Sequence, residues 1–173
     1  MENNNVPKYS NPGPWDKEPD KDSFESSGYP CVMKRVYGGV WAGYVGVPES
    51  HPLHGIDYTD SIRVPDAILN RDVDLDKLCL LSSVLQSRED VKNSMIQLGL
   101  AIDVHKGVTF SGKLSGVSDS DWFFGFDCGH AGDLMPEYTN KAFSDNNTYR
   151  TYEYVKEQCE KLAEQLAAIE SMG

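Results

Sequence analysis

Four histidines occur in the chain, His51, His54, His105 and His130, and all fall in short stretches rich in glycine and aspartate. The stretches read His51-Pro-Leu-His54-Gly, Asp103-Val-His105-Lys-Gly107 and Asp127-Cys-Gly-His130-Ala-Gly-Asp133. Three chemistries suit them. In the first, His105, Asp127, His130 and Asp133 bind a divalent metal, with His51 or His54 joining from their loop. Imidazole and carboxylate together favour zinc, manganese or iron, and a bound ion would activate water or polarise a phosphoryl oxygen. In the second, His105 and Asp127 do acid–base work without metal, the carboxylate fixing the imidazole tautomer. Thr109 or Ser111 would then supply a hydroxyl, although no nucleophile-elbow pattern is present. In the third, the site captures a ligand without turning it over. Backbone amides at Gly107, Gly125, Gly129 and Gly132 would approach an anion, with Lys34, Arg35 and Lys106 as charges, and Trp41, Tyr44 and Phe123 as stacking surfaces. A plainer reading stands beside all three: His and Asp near turns commonly cap backbone groups. Lys106 more simply snorkels from an apolar face.

Positioning these residues requires elements around them. Residues 30–47 predict a β-hairpin rich in Val, Trp and Tyr. A two-residue turn at Gly38-Gly39 pairs Val36 with Trp41 and Met33 with Tyr44. The loop from 48 to 65 carries two prolines and a glycine early on, which exclude regular structure there. Residues 66–99 predict a helical insertion in two pieces, ending at Gly99. Residues 101–128 predict a second hairpin with its turn near Gly116. That register sets Phe110 against Trp122, Gly107 against Gly125, and His105 against Asp127. Residues 149–170 predict an amphipathic helix, with Tyr152, Val155, Cys159, Leu162, Leu166 and Ile169 on its buried stripe. The same spacing allows a seam between copies of the chain. The expected fold is therefore α+β. An antiparallel sheet of two hairpins packs on the C-terminal helix in a single domain spanning 29–173, preceded by a flexible polar tail over 1–28. The site is expected on the sheet face away from the helix.

Composition bounds what such a site would serve. The 173-residue chain has 16 Lys/Arg against 27 Asp/Glu, a formal charge of −11. This excludes broad nucleic-acid coating, which needs clustered cations. No apolar run is long enough to span a membrane, and the first residues do not form a secretory signal, so a cytoplasmic location is expected. Four widely spaced cysteines contain no Cys-x-x-Cys pair and are expected as free thiols. There is no Walker loop and no Gly-x-Gly-x-x-Gly.

Several motifs together carry a resemblance. Tyr44-Val-Gly46-Val-Pro48, His51-Pro52-Leu53 with Gly55, Asp103-Val-His105 with Gly107-Val-Thr109-Phe-Ser-Gly112, and Trp122-Phe-Phe-Gly-Phe-Asp127-Cys-Gly-His130-Ala-Gly-Asp133 resemble a family of small phage and prophage proteins over roughly residues 30–165. The resemblance implies a phage-encoded accessory protein of the bacterial cytoplasm and brings no reaction with it. Two functions follow as expectations. One is a metal-assisted hydrolase of a small phosphorylated, nucleotide-like molecule. The other is a non-catalytic protein that sequesters a small ligand or a host defence protein. His51, His54, Gly107, Thr109, Lys34 and Arg35 are the expected ligand contacts in either. A virion component is a third possibility.

Overall fold

The computed structural model describes residues 8–9, 11–63, 95–138 and 146–172. Its centre is a five-stranded antiparallel sheet ordered β1-β2-β3-β7-β6. The strands are β1 (Lys21–Ser26), β2 (Tyr29–Arg35), β3 (Trp41–Val47), β6 (Phe110–Gly112) and β7 (Trp122–Asp127). A separate two-stranded ribbon joins β4 (Ser61–Arg63) to β5 (Met95–Gln97). The helices are α1 (Leu98–Ala101) and the long α2 (Tyr152–Met172). The architecture is the expected α+β arrangement of hairpins packed on a C-terminal helix. Among the described residues, no helix is long and apolar enough to cross a membrane.

Helix α2 packs where its stripe predicts. Val155, Cys159, Leu162 and Leu166 are fully buried against Met33, Val45, Phe124 and Phe126 of the sheet. Burying each such aliphatic chain stabilises the fold by roughly 1.5–3 kcal/mol. Close approach is possible because β3 carries Gly43 at the contact. A Cβ built there would meet Cys159 Sγ at 2.5 Å. The opposite face is also apolar, with Val32, Phe123 and Leu114 buried and Tyr44 and Phe110 packed on them. The loop after β6 supplies Leu114, so this face is not open as the sequence reading expected.

Several expectations change. The predicted tail contains β1, an edge strand joined to β2 by a tight turn at Ser27-Gly28, both at positive φ (52° and 84°). Before it, a 3₁₀ turn over Pro14–Lys17 buries Trp15. The first hairpin pairs Arg35 with Trp41 and Met33 with Gly43, one residue off the predicted register. The turn spans more than Gly38-Gly39, because Val36 N–H bonds Val40 O across a 3₁₀ turn over Tyr37–Gly39. The second hairpin pairs Phe110 with Gly125, not with Trp122. Of the predicted helical insertion, residues 66–94 lie outside the described residues, and Met95–Gln97 forms a strand. Cys31, Cys128 and Cys159 are free and buried, as expected, while Cys79 lies outside the described residues.

Candidate functional site

His105 is delivered by a turn rather than by a strand. Gly107 N–H bonds Val104 O at 2.8 Å, putting His105 and Lys106 at the turn's corner. Lys106 and Gly107 hold φ of 58° and 81°. Gly107 is required twice over, because a Cβ there would also stand 2.6 Å from Gly99 O. Helix α2 fastens the segment from its side. Gln158 Oε1 accepts the His105 N–H at 2.9 Å. The Gln165 amide brackets Asp103, accepting from its N–H at 2.8 Å and donating to its O at 2.9 Å. His105 is thereby buried beneath the first turns of α2.

A continuous hydrogen-bond chain runs through the imidazole. His105 Nε2–H donates to Asp133 Oδ2 at 2.8 Å. In the neutral imidazole the lone pair left on Nδ1 accepts from the Tyr154 hydroxyl, 2.8 Å away. Asp133 also accepts from Arg150 Nε–H at 3.0 Å and from the His130 backbone N–H at 3.1 Å. Its side chain has no exposure. Burial alone would raise the Asp133 pKa, but the bonds from His105 and Arg150 outweigh it and hold the carboxyl below its ordinary value of 3.8. The Tyr154 hydroxyl is pushed up, chiefly by burial, so it is a neutral phenol at neutral pH. The Arg150 guanidinium lies over the Tyr154 ring at 5.0 Å. The loop bearing Asp133 is itself anchored: Thr148 N–H bonds Gly132 O and Leu134 N–H bonds Thr148 O, both at 2.8 Å.

The predicted partner of His105 was Asp127, and that pairing is corrected. Strand β6 begins only at Phe110, so His105 has no cross-strand partner, and Asp133 takes the place. Asp127 instead ends β7, where its Oδ1 accepts Gly129 N–H at 2.9 Å and lies 3.4 Å from His130 Nε2. The four proposed metal ligands therefore divide into two pairs, His105–Asp133 and Asp127–His130. Among the described residues, no group of three or more His, Cys, Asp or Glu is arranged to hold a metal ion.

The other predicted contacts lie elsewhere. His51 Nε2–H donates to Leu166 O at 2.9 Å, and its Nδ1 accepts Leu53 N–H at 3.0 Å. Leu166 is about three helical turns beyond Tyr154, about 18 Å along α2, so His51 and His105 bond to different stretches of the helix. His54 donates to Ser120 O at 2.7 Å and packs on Trp122. Arg35 is enclosed: it donates to Glu18 at 2.9 Å and to Tyr149 Oη at 2.7 Å, and lies 4.3 Å over the Trp41 ring. Lys34 stands 5.3 Å over the Tyr44 ring, on the opposite sheet face from α2. Thr109 N–H pairs with Gly125 O, and Gly107 serves the turn. Of the predicted site residues, His105 and Asp133 come together in direct contact, with the His130 backbone beside them.

Tyr154, Arg150 and Glu18 were missed. Glu18 accepts from Tyr149, Arg35 and Trp41 and, through Oε2, from the Tyr152 N–H at 2.8 Å, so it caps α2 from a distant segment. Only one weak signal pointed to Tyr154, an aromatic lying off the predicted apolar stripe of its helix. No protein-family model matches the chain, and comparison with curated proteins and with solved structures returns no match.

Proposed function

We propose that the protein is an acid–base hydrolase of a small phosphorylated molecule, with the Tyr154 hydroxyl as reacting group, His105 as its base and Asp133 as the orienting carboxylate. The observation that carries this reading is the unbroken chain Tyr154 Oη to His105 Nδ1 and His105 Nε2 to Asp133 Oδ2, both links at 2.8 Å. A hydroxyl, an imidazole and a buried carboxylate in series are the parts of a proton relay. As water attacks phosphorus it gives a proton to the Tyr154 oxygen while the Tyr154 proton passes to Nδ1, where Asp133 stabilises the imidazolium, and the Nδ1 proton then goes to the departing oxygen. Arg150 gives its Nε–H to Asp133 and keeps 27 % of its side chain exposed, which supports an anion contact by its terminal nitrogens. A metal is no part of this reading, because the predicted ligands divide into two separate pairs. The role as a phage accessory protein in the bacterial cytoplasm rests on the motif resemblance.

The test is turnover of a panel of phosphomonoesters and phosphodiesters by wild type, Tyr154→Phe and His105→Asn. Wild type is expected to hydrolyse at least one member, with a loss of about 10²–10⁴-fold in each variant. A Tyr154→Phe protein as active as wild type would overturn the assignment. The sequestering alternative is favoured by one observation, the complete burial of the Asp133 side chain. It predicts a ligand that survives binding and is recovered unchanged after denaturation.

A further inference from the structure

Two 3₁₀ turns, Tyr37–Gly39 and Pro136–Tyr138, lie against each other where β2 turns into β3. Each presents a tyrosine to solvent. Tyr37 is 78 % and Tyr138 50 % exposed, and their rings stand 5.6 Å apart at a 43° tilt. The two hydroxyls are bonded to each other, which, with partial burial and the nearby Glu137, pushes the Tyr138 pKa up to about 12. Met135 packs against the Gly38 turn. Its Sδ lies 3.0 Å from where a Cβ on Gly38 would stand, and its Cε 3.2 Å from where one on Gly129 would stand. The same Gly129 position is 3.2 Å from Asp127 Oδ1, so Met135 links the Gly38 turn to the loop that follows Asp127. The Asp127 side chain is 39 % exposed. Of the nearby basic side chains, Arg35 is turned onto Glu18 and Lys34 onto Tyr44, while His130 Nε2 lies 3.4 Å from Asp127 Oδ1.

We propose that this surface docks an arginine-bearing segment of a partner protein, the Tyr37–Tyr138 pair taking the guanidinium face and Asp127 and Glu137 its charge. Tyrosine is among the residues that dominate protein interfaces, and a guanidinium packs on its ring with a gain in attraction. Complementary charge supports the choice of partner, since the chain carries −11 overall. This proposal does not depend on the hydrolase reading, because none of its residues belongs to the Tyr154 relay.

The experiment uses the full chain and a fluorescein-labelled peptide of alternating glycine and arginine, followed by anisotropy. Saturable binding to wild type is expected, weakened about tenfold by Tyr37→Ala/Tyr138→Ala and largely restored by Tyr37→Phe/Tyr138→Phe. Both double variants keep the full negative charge and alter only exposed rings. Equal affinity of the alanine variant and wild type would show attraction by overall acidity and overturn the proposal. So would the absence of saturable binding to wild type.

Discussion

At the residue scale, the central feature is that one carboxylate, Asp133, gathers three donors in complete burial. Asp133→Asn removes the buried charge, keeps one acceptor oxygen and turns the other into an NH2 that faces a donor, and should destabilise the fold by roughly 3–5 kcal/mol, measured by urea unfolding. The pH dependence has a defined sign. A carboxyl held below its ordinary pKa in the folded state contributes fully above that ordinary value and loses the contribution as pH falls through the lowered one. Asp133 and Glu18 are both lowered, from 3.8 and 4.5, in each case by hydrogen bonds that outweigh burial. Thermal stability should therefore be level from neutral pH to about 5 and fall below it, more shallowly in Asp133→Asn. His105 and Asp133 were both legible as chemistry-bearing residues, but their pairing was not. Choosing Asp127 required counting across a turn. Trp122-Phe123-Phe124 offers an apolar side chain on either face of β7, so the apolar pattern could not fix the register. Both faces of the sheet are in fact covered.

At the element scale, the C-terminal helix was the most legible part because its stripe is regular and one-sided. Strand β1 was the least legible, since Lys-Asp-Ser-Phe-Glu-Ser offers one apolar side chain and an edge strand has only one neighbour to satisfy. The Ser27-Gly28 turn that joins it to β2 was not expected, although glycine suits the positive φ it adopts there. The helix–sheet contact is set by Gly43. Gly43→Ala forces a methyl into Cys159 Sγ and the Phe126 ring, and should destabilise by about 1–3 kcal/mol. Adding Cys159→Ala should recover part of that loss in the same unfolding measurement. The short α1 and the turn after it depend on backbone contact between Gly99 and Gly107. Gly107→Ala should therefore displace His105 and shift its ring NMR resonances, while the resonances of Trp15, at the far end of the chain, stay in place.

At the scale of the whole molecule, residues 11–28 belong to the domain. Trp15 packs edge-on against Tyr149 at 5.1 Å. Glu18 ties Arg35, Trp41, Tyr149 and the first amide of α2 together just ahead of Arg150 and Tyr154. Arg35 keeps only 8 % of its side chain exposed. Glu18→Ala leaves that guanidinium with only the exposed Asp20 carboxylate, 3.6 Å from its Nε, and a loss of roughly 3 kcal/mol is expected, while Glu18→Gln should lose less. This network was illegible beforehand because Glu18 sits in a polar, proline-rich stretch, more than a hundred residues from the helix it caps.

In the proposed reaction the Tyr154 hydroxyl reacts through His105. The most direct measurement compares phosphoester turnover by wild type and Tyr154→Phe, two proteins that differ by one oxygen, after circular dichroism shows both to be folded. Turnover by wild type and a loss of at least about a hundredfold in the variant are expected. Equal rates in the two proteins, or no turnover by wild type on any phosphomonoester or phosphodiester, would contradict that reaction.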